Sequence, residues 1–71
     1  MVFVRVYYED IDKKWKKAGE GEYSLEREEF DYYDSYDDDV VGEDDVVYYL
    51  INYYPEEKII EDIGLKIVVE D

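Results

Sequence analysis

Residues 2–8, Val-Phe-Val-Arg-Val-Tyr-Tyr, are β-branched or aromatic almost throughout, which suits a pleated, half-buried strand. With a period of two, Val2, Val4, Val6 and Tyr8 share one face and Phe3, Arg5 and Tyr7 the other. The same period returns at the far end. Leu65, Ile67 and Val69 alternate with Lys66, Val68 and Glu70, predicting a second strand with one apolar face. In a small single-sheet domain these two terminal strands are expected to pair.

Between them the pattern changes. Gly19 and Gly21 predict a turn, so Tyr23-Ser24-Leu25-Glu26-Arg27 reads as the returning strand of a hairpin. The alternative makes Ser24 a helix N-cap, with Glu26, Glu28 and Glu29 near the positive helix end. The strand is the preferred reading for 22–30. Residues 44–54 are apolar nearly all round. Glu43, Asp44 and Asp45 ahead of them, and Val47, Leu50, Ile51 and Tyr54 at helical spacing, predict a helix. Pro55 then fits the first position of a second, short helix, with Ile59, Ile60 and Ile63 as its apolar side and Gly64 as its stop. The expected architecture is α+β, a small antiparallel sheet of about three strands with one or two helices packed on it. Residues 1–71 form a single acidic domain on this reading.

Composition narrows the chemistry. The chain has 71 residues, 22 Asp and Glu against 8 Lys and Arg, a formal charge of -14, no Cys and no His. Without Cys there is no disulfide framework and no thiolate zinc site. Without His the usual general base near neutral pH is missing. Eight positive charges make a poor nucleic-acid-binding surface. No apolar run approaches the roughly 20 residues needed to span a bilayer. Met1-Val2-Phe3-Val4-Arg5-Val6 lacks the n-region and h-region of a signal peptide. Hydrophobic residues make up 46% and aromatics 18%, which argues for a folded chain despite the charge. Self-repulsion should make that fold more stable at moderate salt than at low salt.

The charge is local. Residues 20–45 hold 13 acids and one base, Arg27, a net charge of -12, while the other 45 residues carry -2. Laid out as one helix, those 26 residues would rise about 39 Å, or one carboxylate per roughly 3 Å. One strand of B-DNA carries a phosphate about every 3.4 Å along its axis. Phe30, Tyr32, Tyr33 and Tyr36 lie among these acids. A merely solvating segment has little use for aromatics, whereas Tyr is at home in protein interfaces and stacks on guanidinium groups. The bland reading is a solvated acidic face with some of these rings turned into the core.

Other chemistries fit less well. Asp37-Asp38-Asp39-Val40-Val41-Gly42 starts like a calcium loop, but Val41 and Tyr48 stand where that loop needs ligands. Paired carboxylates suffice for glycoside hydrolysis, yet a chain this short has little room for a deep cleft beside a core. Neither an enzyme nor a cofactor is expected. Lys13, Lys14, Lys16 and Lys17 around Trp15 read as an exposed turn whose lysines pair with nearby acids.

In size, charge and mixed acid–Tyr composition, most clearly over residues 20–45, the chain resembles the DNA-mimic inhibitor proteins of phages and mobile elements, of anti-CRISPR or anti-restriction type. The resemblance is one of composition, and these proteins share no common fold. It implies a non-enzymatic inhibitor that occupies the DNA- or RNA-binding groove of a nuclease, CRISPR effector or other DNA-binding protein. It implies a basic nucleic-acid-binding protein as partner, no direct contact with nucleic acid or membrane, and a cytoplasmic location, in the host cell if phage-encoded. The candidate partner-binding residues are Glu26, Glu28, Glu29, Asp31, Tyr32, Tyr33, Asp34, Tyr36, Asp37, Asp38, Asp39, Glu43, Asp44 and Asp45. The alternative is an acidic chaperone or adaptor that screens a basic, histone-like protein. Tyr48, Tyr49 and Tyr53 on the second face of the 44–54 helix would suit a homodimer seam.

Overall fold

The two terminal segments lie side by side at the centre of the sheet. β1 (Val2–Glu9) and β5 (Leu65–Glu70) run antiparallel, with Val4 opposite Val69 and Val6 opposite Ile67. The structure is a computed structural model that describes residues 1–37 and 39–70. It completes the sheet with β2 (Trp15–Ser24), β3 (Glu29–Ser35) and β4 (Ile59–Asp62). The order is β3-β2-β1-β5-β4, and every neighbouring pair is antiparallel. One helix, α1 (Glu43–Tyr53), links β3 at one edge to β4 at the other and packs on one face. The α+β class is as expected, but among the described residues the sheet has five strands and there is one helix.

Both differences have a local cause. Gly19 and Gly21 do not turn the chain. They lie inside β2, where β3 comes unusually close. A Cβ on Gly21 would sit 2.0 Å from the Asp31 carbonyl oxygen, and one on Gly19 would sit 2.7 Å from that of Asp34. The glycines admit a bulge at which Gly21 faces Tyr32 while Glu20 faces Asp34. The hairpin turn comes later, at 25–28, with Glu28 at φ 56°. So 22–30 spans the end of one strand, a turn and the start of the next.

The second helix is absent. Residues 59–62 form β4, whose register places Asp62 opposite Leu65. Ile63 and Gly64 are therefore a two-residue hairpin loop, and Gly64 supplies its positive φ of 74°. Ile60 is buried, while Ile59 and Ile63 are 62% and 99% exposed, a period of two rather than 3.6. The Tyr54–Pro55 peptide bond is cis.

The core fills the space between α1 and one sheet face. Val4 and Val6, Ile67 and Val69, Tyr23 and Phe30 close around Val46 and Leu50 of α1. Among the described residues no polar or charged residue is buried. The buried side of α1 is Val46 and Leu50, with Val47 and Tyr49 packed partly against the core. Ile51, expected inside, is 47% exposed. A helix apolar nearly all round carries no sequence signal for its inner face, so packing against the sheet decides.

Candidate acidic interface

Residues 20–45 do not form one rod. They are divided among the end of β2, the 25–28 turn, β3, a loop and the first turn of α1. Along a strand, side chains on one face recur only about every 6.6–6.8 Å. The row of one carboxylate per roughly 3 Å therefore does not exist. What forms instead is an array across strands. Glu22 stands opposite Asp31, and Glu20 opposite Asp34. Opposed Cβ atoms in an antiparallel sheet are about 4.5–5.5 Å apart, and like charges there are destabilising.

These four acids lie on the sheet face that α1 leaves open, because β2 alternates and Tyr23, next to Glu22, points into the core. Lys17 Nζ lies 3.2 Å from Glu20 Oε2. The Tyr36 hydroxyl donates to Asp34 Oδ2 at 2.9 Å. Among the described residues the side chains of Glu22, Glu29 and Asp31 have no ion-pair or hydrogen-bond partner. They share a shallow hollow of about 100 Å³ with Tyr33 and Arg27.

Aromatic rings lie beside the acids. Tyr33 is 58% exposed and packs on Phe3 with ring centroids 5.9 Å apart. The Arg5 guanidinium sits over the Phe3 ring at 5.1 Å, and Lys17 Nζ over Tyr36 at 5.8 Å. The Tyr33 phenol is pushed up by partial burial first, then by the charges of Glu20 and Glu22, with Arg5 opposing. The Tyr36 phenol is pushed up chiefly by its bond to Asp34. Both remain neutral hydrogen-bonding rings across the physiological range.

The structure thus gathers Glu29, Asp31, Tyr33, Asp34 and Tyr36 from the candidate set on one face. It adds Glu20, Glu22 and Phe3, which the candidate set left out. Glu20 and Glu22 were hidden because the glycines suggested a turn where β2 continues, and Phe3 because it joins the face only through its contact with Tyr33. A turn placed at 25–28 would have brought 22 opposite 31. No protein-family model matches the chain, and no curated protein or solved structure matches it. Function is therefore argued from geometry alone.

The remaining candidates go elsewhere. Tyr32 faces inward, its ring 4.8 Å from Phe30 and its hydroxyl donating to the Val41 carbonyl at 3.0 Å. Its backbone N–H donates to Glu43 Oε2 at 3.1 Å, so Glu43 caps the outer edge of β3. Asp37 accepts from the Tyr8 hydroxyl at 2.8 Å. Asp44 and Asp45 lie exposed in the first turn of α1, where the helix dipole favours acids and Gly42 offers no side-chain cap. Asp39 is exposed in the loop before it, and Glu26 and Glu28 are exposed in the β2–β3 turn. Asp38 lies outside the described residues.

Among the described residues no group of three or more acidic side chains is placed to hold a metal ion, and no helix is long and apolar enough to cross a membrane. In the basic stretch, Lys16 Nζ lies 3.9 Å from Asp10 and Lys66 Nζ lies over the Trp15 ring at 5.7 Å.

Proposed function

We propose that the protein is a non-enzymatic nucleic-acid mimic. In this reading the open β2–β3 face binds the DNA- or RNA-binding groove of a basic protein, a nuclease, CRISPR effector or other DNA-binding protein. The observation that carries it is the pair of opposed acid couples, Glu22 with Asp31 and Glu20 with Asp34. In the free protein the Glu22–Asp31 couple opposes folding slightly, while Lys17 partly offsets the charge of the Glu20–Asp34 couple. A Lys or Arg of a partner set between the carboxylates removes that repulsion and gains two charge-assisted contacts. Fixed anions on a rigid sheet also keep their spacing, as phosphates on a duplex do. Tyr33 and Tyr36 supply flat surfaces for guanidinium groups.

The test is competition. A fluorescent duplex is bound to a panel of basic-groove proteins, including CRISPR effectors and restriction enzymes, and this protein is titrated in at 100 and 500 mM salt. Displacement from one panel member at low salt, with no binding of the protein to DNA, is the expected result. Glu22→Gln with Asp31→Asn should weaken that displacement by about tenfold or more. Weak displacement from every member, falling gradually with total charge, would mean generic screening of basic proteins. No displacement from any member would overturn the reading.

A further inference from the structure

The two edges of the sheet differ. At the β3 edge the Tyr32 N–H donates to Glu43 Oε2, so the start of α1 closes part of that strand. At the β4 edge the register turns two residues outward. The Glu9 N–H donates to the Gly64 carbonyl at 3.1 Å, so the even-numbered residues of β5 bond to β1. Its odd-numbered residues bond to β4, and the Val69 N–H accordingly donates to the Lys58 carbonyl at 2.7 Å. By the same alternation Ile60 and Asp62 bond to Ile67 and Leu65. The N–H and C=O groups of Ile59 and Glu61 therefore point away from the sheet, and among the described residues no hydrogen bond reaches them.

Such a row of open donors and acceptors is a template for another strand. The side chains around it select which strand. Ile60 is buried on the helix side, so Ile59 and Glu61 lie on the open face. Ile59 is exposed there, and Glu61, reached by Lys66 at 3.7 Å, keeps 57% of its side chain exposed. Residues 55–64 hold four acids and one base. A second copy on this edge would set two such segments together, on chains of charge -14 each. Acids on an edge deter a like strand and favour a basic one. We propose that β4 takes an extended segment of another protein as a sixth, antiparallel strand. Directly opposed residues share a face, so the segment carries Lys or Arg opposite Glu61 and an apolar residue opposite Ile59. Along its own chain it reads basic–x–apolar, with x opposite Ile60. Ile59 and Glu61 each exchange two backbone hydrogen bonds with it. The inference concerns an edge and does not rest on the nucleic-acid-mimic reading of the β2–β3 face.

The test uses the full chain, isotope-labelled, and the peptide acetyl-Thr-Lys-Val-Val-Thr-amide, whose Lys falls opposite Glu61 and whose second Val falls opposite Ile59. Saturable binding should slow amide exchange at Ile59 and Glu61. Ile60 and Asp62 should be as protected as before. Methylating the peptide's Lys and second Val amides, which face β4, should weaken binding by about tenfold or more. Methylating its first Val amide, which faces away, should leave binding largely intact. Exchanging the peptide's Lys for Glu should weaken binding by about fivefold or more. Glu61→Lys should remove that preference, and a melting curve confirms that this exposed variant is folded. No saturable binding, equal binding of the two methylated peptides, or a preference for Lys that survives Glu61→Lys would each overturn the proposal. So would slow exchange at Ile59 and Glu61 that grows with protein concentration in the absence of peptide, since a second copy would then hold the edge.

Discussion

On the helix side of the sheet, Val4, Val6, Ile67 and Val69 close around Val46 and Leu50, and no charged side chain among the described residues is buried. One residue along each strand, on the open side, stand Arg5, Glu20, Glu22, Asp31, Lys66 and Glu70 with Phe3 and Tyr33. The same strands supply both faces, and opposite constraints act on them. The covered face must exclude water, so any change of volume there is felt in full. The open face is solvated, so like charges opposite one another are only mildly unfavourable. That mildness lets the open face keep four opposed acids without unfolding the domain. Stability resides on one side, and the side chains free to recognise something else lie on the other.

The sharpest way to break this contrast is to truncate one aliphatic side chain on each side. Leu50 is fully buried, and Leu50→Ala should cost about 2–5 kcal/mol. At about 0.05–0.15 kcal/mol per residue, a chain of this size holds only about 4–11 kcal/mol in total. The urea midpoint should therefore fall steeply. Val68 stands on the open face opposite Arg5, and Val68→Ala should cost less than about 1 kcal/mol. Comparable losses at both positions would mean that the open face is covered in solution.

The covered face was the legible half. Alternation over 2–8 and 65–70 identified both central strands and their inward residues, because burial on one side of a sheet imposes a period of two. The helix over 44–54 was readable from its acidic start and the helical spacing of Val47, Leu50, Ile51 and Tyr54. Two other segments misled because their signals are shared. A glycine with positive φ serves a helix stop and a hairpin loop equally, so Gly64 fitted both. Gly19 and Gly21 looked like a turn, while their role is to let another strand approach, which depends on a neighbour no local pattern names. The site suffered from the second error, since the couples Glu22–Asp31 and Glu20–Asp34 exist only once the hairpin register is set.

A smaller effect sharpens the contrast from inside the core. The Tyr23 ring of β2 is fully buried edge-on against Tyr54, the residue that follows α1, and its hydroxyl has no hydrogen-bond partner among the described residues. Burial pushes its phenol up, with Glu28 and Tyr54 adding to the shift. An unpaired hydroxyl in an apolar core is a penalty the fold carries. Tyr23→Phe should leave stability unchanged or raise it by about 1 kcal/mol, read as a higher urea midpoint. A loss of more than about 1 kcal/mol would reveal a bound partner for that hydroxyl.

The same sign holds for charge on the open face. Glu22→Gln with Asp31→Asn removes one opposed acid couple and should raise stability by a few tenths of a kcal/mol while weakening binding to a basic partner. Gain in one property and loss in the other is the signature of residues kept for recognition. The gain should shrink between 20 and 300 mM salt, since screening already relieves the repulsion in the parent. A loss of stability on neutralisation would mean that these acids hold the sheet together.

The least effect is expected where the two layers meet at the surface, between α1 and the β4–β5 hairpin. Tyr49 donates to Asp62 at 2.7 Å, and this bond, ahead of partial burial and the charge of Asp62, pushes the phenol up to about 12. The same bond, helped by the Ile63 N–H, holds the Asp62 carboxyl below its ordinary value. For Tyr49 the folded pKa lies above the unfolded one, so its contribution is fully present below about pH 10 and is lost as pH rises from there towards about 12. For Asp62 the folded pKa is depressed, so its contribution is present above the ordinary aspartate range and is lost as pH falls through the folded value. The bond therefore acts between those limits. Alkali ionises all ten tyrosines, so the useful quantity is the difference between the parent and Tyr49→Phe. The parent should be the more stable of the two at pH 7. That advantage should vanish at about pH 12, because phenolate cannot donate to carboxylate. An advantage that persists undiminished at that pH would show that the Tyr49 oxygen stabilises the fold without donating to Asp62.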